Sequence, residues 1–162
     1  MGNVERFHVS GVNGRPDKDS YYLQIALDVA SRSTCLRRKY GAVLVNADLN
    51  TIVSTGYNGS PRHEENCCDV GYCEREQLKI PKGERYEMCK SIHAEQNAIM
   101  AAGYFKAKGC VLYIAGINVA DGSLADPAPC KLCRRYIANV GIEKVIGLMH
   151  GVPCEIDIKS YR

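Results

Sequence analysis

Tryptophan is absent from this 162-residue chain, and phenylalanine occurs only twice. Ten tyrosines are therefore nearly its whole stock of rings, which is thin for a single-strand nucleic-acid channel built on stacking platforms. An excess of one charge is also missing. Twenty-one Lys and Arg stand against 18 Asp and Glu, a formal net of +3, and the cations are scattered along the chain. No electrostatic footprint for nucleic acid results, so nucleic acid is not an expected partner. Long apolar runs are lacking too: none approaches the roughly 18 residues that cross a bilayer, and no membrane is expected. The opening stretch, 1–20, has no apolar core of the kind a secretory signal carries. No repeat, low-complexity segment or Pro/Gly/Ser linker divides the chain, so one domain with one core is expected.

Cysteine is what the chain has in quantity. There are nine: Cys35, Cys67, Cys68, Cys73, Cys89, Cys110, Cys130, Cys133 and Cys154. A disulfide scaffold would suit a smaller, secreted chain and an even number. The expected setting is the cytoplasm, with metal ligation or catalysis as the reason for the thiols.

Residues 1–16 are Gly-rich and polar and read as a flexible N-terminal arm, and 17–162 as a single domain. From Asp17, a candidate N-cap, a helix is predicted with Tyr22, Ile25, Ala26, Val29 and Ala30 on its buried face. Two β-branched runs, 41–45 and 51–55, form a hairpin across a short connection. The segment 56–91 shows little apolar periodicity but holds four cysteines, as a functional loop or metal clip would. A helix from His93 to Gly103, a strand at 110–115, a helix from Pro129 to Gly141, a strand at 143–149 and another at 154–158 complete the order. A hairpin followed by strand–helix alternation implies a mixed sheet of about five strands covered by helices, a three-layer α/β/α sandwich.

Two motifs carry the chemistry: His93-Ala94-Glu95 and, 34 residues after Glu95, Pro129-Cys130-Lys131-Leu132-Cys133. Each begins a predicted helix, where free N–H groups and the positive end of the dipole favour thiolates and carboxylates. Cys130 and Cys133, three apart, can chelate one ion, and His93 adds an imidazole. Three N/S ligands with one open corner describe a catalytic zinc, since a structural zinc fills all four positions. Glu95, two residues from His93, is placed to move a proton between a water and the substrate. H-x-E followed by P-C-x-x-C is the signature of the zinc deaminases.

At these residues, and at Gly41-Ala-Val-Leu-Val45 and Ser54-Thr-Gly-Tyr-Asn-Gly-Ser-Pro61, the chain resembles the deoxycytidylate (dCMP) deaminase family of the cytidine deaminase-like superfamily. The resemblance runs from about Tyr21 to about Leu148. It implies hydrolysis of a cytosine nucleotide, most of all dCMP to dUMP and ammonia, supplying dUMP for thymidylate synthesis. It also implies that Asn58 holds the sugar with Ser60 nearby, and that backbone at Ala94 reads the cytosine edge. A homo-oligomer, often a hexamer, with dCTP and dTTP as effectors, belongs to the same expectation. Read on its own, the Gly56-Tyr-Asn-Gly59 run is only a turn rich in candidates for positive φ.

Two departures concern the phosphate. Gly103–Lys108 lacks an arginine that some members carry there, and Lys106 and Lys108 read as solvated rather than as replacements. The segment 116–128 is longer than the usual connection and reads as a lid at the mouth of the site. Arg134 and Arg135 read as helix surface. The resemblance further suggests a second, structural zinc held by Cys35, Cys67, Cys73 and Cys89, with His63 and Cys68 as substitutes; free thiols are the competing reading. Cys110 and Cys154 read as core. Two other functions remain in view: deamination of a base within RNA or single-stranded DNA, and a non-catalytic zinc scaffold. A scaffold has no use for Glu95.

Overall fold

The computed structural model describes residues 12–159. Of the expected arm, residues 1–11, His8 among them, lie outside the described residues, and Val12–Gly14 form a single 3-10 turn. Helix α1 (Lys18–Ala30) opens where Asp17 stands. Its carboxylate accepts from the Ser20 backbone N–H at 3.0 Å and from the Ser20 hydroxyl at 2.7 Å, which satisfies otherwise orphaned donors. Strands β1 (Arg38–Asn46) and β2 (Thr51–Tyr57) form the expected hairpin, turned with Asn50 in the left-handed region. Next come two four-residue helices, α2 (Cys67–Val70) and α3 (Glu74–Gln77). The chain continues through α4 (Ala94–Ala102), α5 (Tyr104–Ala107), β3 (Val111–Asn118), α6 (Lys131–Val140), β4 (Lys144–Met149) and β5 (Val152–Glu155).

The sheet runs β2-β1-β3-β4-β5, with β3 and β4 parallel and the other pairs antiparallel. Strand alternation divides the core in two. Ala42 and Leu44 of β1, with Leu112 and Ile114 of β3, join Ala94, Ala98 and Ile99 of α4 and Ile137 and Val140 of α6. Val43, Val45, Val111, Tyr113 and Ala115 face the other way and join Tyr22, Leu23, Ala26 and Leu27 of α1. This is the expected three-layer α/β/α sandwich. Each fully buried Leu, Ile or Val contributes about 1.5–3 kcal/mol by leaving water.

Two glycines set how closely the layers approach. A Cβ on Gly41 would overlap the backbone of Ala26 and Ala30 in α1, and one on Gly56 would overlap the backbone of Ala94 and Ala98 in α4. None of residues 56–59 has a positive φ, contrary to the turn reading. Gly56 is there for close approach of helix to sheet.

Other details differ from expectation. The buried stripe of α1 is Tyr22, Leu23, Ala26, Leu27 and Ala30, while Ile25 and Val29 are only half-buried. Both stripes have helical spacing, and only the sheet's position selects between them. Strand β5 starts at Val152, two residues before expectation, and Cys154 is half-buried at the edge rather than in the core. Cys110 is buried as expected. Pro129 precedes the cap of α6 instead of opening the helix.

Candidate active site

The N-termini of α4 and α6 carry the motif residues. His93 caps α4 in an extended conformation, and its backbone N–H donates to the Gln96 side chain at 3.0 Å. The bridge between Gly59 and Ile92 fixes the approach to this cap. Cys130 caps α6, its sulfur accepting from the Cys133 N–H at 3.5 Å. Before it, Tyr40 donates its hydroxyl proton to the Asp126 carbonyl at 2.7 Å, holding the 119–129 segment at the cavity mouth.

His93 Nδ1 lies 3.4 Å from Cys130 Sγ and 3.2 Å from Cys133 Sγ. These three ligand atoms all fall within 4.8 Å of one another, and no other such cluster occurs among the described residues. A hydrogen bond from the Cys133 thiol, with help from His93 and the Cys133 N–H, holds Cys130 down to about 4 despite burial. The neighbouring thiolate and burial push Cys133 the other way. The hydrogen bond to Cys130 raises His93 above the usual imidazole value, with burial opposing. Two sulfurs and an imidazole nitrogen at two positive helix ends form a donor set suited to zinc, with one tetrahedral corner left for chemistry.

Glu95 is only 7% exposed, and burial raises its carboxyl above the usual carboxylate range, with His93 partly opposing. It lines a cavity of about 790 Å3 together with Asn58, His93, Ala94 and Cys130. The same wall carries Arg37, Arg38, Arg75, Lys82, Lys131 and Arg134. Arg134 is therefore half-buried cavity wall, its Nε donating to the Pro129 carbonyl at 2.9 Å, while Arg135 is exposed as expected. Lys106 and Lys108 are exposed and outside the lining.

Asn58 is 8% exposed and heavily used by the fold. Its Oδ1 accepts from the Ser33 hydroxyl and the Tyr40 N–H, both at 2.7 Å, and its Nδ2 donates to the Arg38 carbonyl at 2.9 Å. Ser60 lies outside the cavity lining, its Oγ buried without a hydrogen-bond partner among the described residues. Cys35, Cys67, Cys73 and Cys89 converge on one wall of the cavity, near enough that Cys67 feels the other three. No three of their sulfurs come within 4.8 Å of each other. His63 and Cys68 are exposed and stand apart from this wall.

Sequence reasoning missed Arg75 and Tyr86. The Tyr86 ring meets the His93 ring edge-on, with centroids 5.6 Å apart. Tyr86 sits in a charged, aperiodic run, and nothing local marked it as cavity wall.

The model of the cytidine and deoxycytidylate deaminase zinc-binding region matches residues 16–149. Deoxycytidylate deaminases of Schizosaccharomyces pombe and Saccharomyces cerevisiae are each 35% identical over 133 residues, 82% of this chain. The matched part spans only 37% and 38% of those two relatives. The deoxycytidylate deaminase of Mycobacterium phage D29 is 34% identical over 137 residues, covering 82% of this chain and 94% of the relative. Among solved structures, dCMP deaminase from the cyanophage S-TIM5 in complex with dCMP and dUMP superposes with a TM-score of 0.56 at 26% identity, covering 82% of each chain. Its apo form gives the same TM-score over 85% of this chain and 89% of that one.

Proposed function

The chain belongs to the cytidine and deoxycytidylate deaminase zinc-binding family, and on that premise we propose that it hydrolyses dCMP to dUMP and ammonia. The observation that carries this reading is the His93, Cys130 and Cys133 donor cluster with buried Glu95 in the same cavity. Zinc, held by those three residues, supplies a water activated at neutral pH. The Glu95 carboxylate takes a proton from the attacking water and delivers it to the ring nitrogen beside the amino-bearing carbon. It then carries the second proton to the departing amine. Atoms balance: cytosine nucleotide and water become uracil nucleotide and ammonia. The Ala94 N–H, in the first turn of α4, meets the cytosine edge, and Asn58, with one amide hydrogen already committed to Arg38, offers the other to the sugar.

The cation-lined wall favours an anionic nucleotide over a nucleoside, and with few rings available it offers little to a nucleic-acid strand. An ammonia-release panel over dCMP, CMP, deoxycytidine, dCTP and an oligonucleotide tests the substrate. Release from dCMP above the others supports the reading, and release from the oligonucleotide alone replaces it. The same panel, repeated with dCTP and dTTP, tests them as effectors of a homo-oligomer, a hexamer in the family pattern, working in the cytoplasm.

A second, structural zinc on Cys35, Cys67, Cys73 and Cys89 is part of the proposal. Their common place on the cavity lining, with Cys67 feeling the other three, supports it, and the four thiols would hold the ion in a closed structural site. Metal analysis decides: about two zinc ions per chain support it, and about one sinks it.

A further inference from the structure

The segment between β2 and α4 buries a cation that the deamination chemistry does not use. Arg75 is only 6% exposed, although it stands in the polar run Cys73-Glu74-Arg75-Glu76. Its Nη2 donates to the Pro81 carbonyl at 2.8 Å and the Glu84 carbonyl at 2.7 Å. Its Cζ lies 5.1 Å from the Tyr86 ring centroid. Its Nε–H is buried with no acceptor among the described residues.

Two other cations of the cavity wall have carboxylate partners, and a third has an amide one. Arg37 pairs with Glu76 at 3.2 Å, Lys82 pairs with Asp126 at 3.7 Å, and Arg38 Nε donates to Asn118 Oδ1 at 3.2 Å. Among the described residues Arg75 forms no ion pair with a carboxylate, although Glu87 feels its charge. Carbonyl dipoles and a ring face solvate a guanidinium without neutralising it, and burying a charge without a paired opposite charge is costly. Such a group is explained when an anion arrives.

The place suits one. Arg75, Tyr86 and His93 line the same cavity, and the guanidinium stands two ring contacts, of 5.1 and 5.6 Å, from the His93 imidazole. A pyrimidine nucleotide whose amino group lies at His93 would extend its phosphate along the wall that carries Arg75. Cys67, Cys73 and Cys89 also share a small adjoining cavity with Arg75.

We propose that Arg75 is a specificity-determining residue for the substrate's phosphate, its guanidinium receiving a phosphomonoester dianion and so selecting nucleotide over nucleoside. The inference rests on the deaminase reading for its substrate. A planar donor fork is the group that matches phosphate oxygens in pairs.

Calorimetric binding of dUMP and deoxyuridine to the zinc-loaded full chain tests this without turnover, so an inactive protein and a misassigned Arg75 give different results. Arg75→Gln should weaken dUMP on the order of 100-fold while leaving deoxyuridine unchanged. Arg75→Lys, which keeps the charge and loses the fork, should weaken dUMP by about tenfold and again spare deoxyuridine; it serves alone where the Gln variant does not fold. Equal weakening of both ligands makes Arg75 a loop organiser and overturns the proposal. Unchanged dUMP affinity with zinc lost from the chain overturns it in favour of the thiols as counter-ion.

Discussion

At the scale of single residues, reactivity follows from burial beside charge. Glu95 sits where water is excluded, which raises its carboxyl and suits a group that must both take and return a proton. Glu95→Gln keeps the shape and removes the base. Ammonia release should fall by about 10²–10⁴-fold while zinc content stays constant by metal analysis. A different residue governs stability at the far end of α1. The hydrogen bonds from Ser20 hold the Asp17 carboxyl below its usual value. Its contribution is therefore present above the unfolded-state value and is lost as pH falls through the lower folded-state one. Asp17→Ala should cost about 1 kcal/mol in urea unfolding at pH 7, and the gap should close as the pH falls through the lowered folded-state value. The ligands and Glu95 were legible in the sequence because each belongs to a short linear motif with a chemical reason for its spacing. Arg75 and Tyr86 were not, since their role depends on a loop fold that brings charged residues inward.

At the scale of elements, the site is two helix N-termini aimed at one point. Their capping residues, His93 and Cys130, both belong to the candidate donor cluster, so the position of each helix on the sheet sets the distances within it. The two close-approach glycines separate stability from site geometry. Gly56→Ala pushes α4, with His93 and Glu95, away from β2. Gly41→Ala strains the contact with α1 on the opposite face. Each should lower stability by about 1–3 kcal/mol, and only Gly56→Ala should also weaken zinc in a competition titration with a chromophoric chelator. Helices and strands were largely legible because β-branched runs and caps mark them. The stripe of α1 was not, because two apolar stripes satisfy the same period, and the role of Gly56 was not, because close packing leaves no local signature.

At the scale of the whole molecule, a five-stranded sheet with a separate core on each face gives the site a rigid floor. The aperiodic 58–92 segment and the 119–129 segment wall the cavity from two sides, joined by Lys82 and Asp126 at 3.7 Å. Zinc bound only by the folded chain stabilises it by mass action. Removal with dipicolinate should lower Tm by several degrees and abolish turnover, and added zinc should restore both. The sandwich itself was readable from element order, as a hairpin followed by strand–helix alternation leaves few other arrangements. The convergence of Cys35, Cys67, Cys73 and Cys89 was suggested by resemblance alone, because thiols so far apart in sequence share no periodicity.

The central claim is that this cavity deaminates a cytosine nucleotide by means of Glu95 beside a His93, Cys130 and Cys133 metal centre. Its most direct test is ammonia release from dCMP by zinc-loaded protein, measured side by side with Glu95→Gln at equal zinc content. Stoichiometric ammonia and dUMP from the parent protein, with neither from the variant above the residual rate, is the expected outcome. Full turnover by the variant, or no ammonia from any cytosine nucleotide with zinc in place, contradicts the claim.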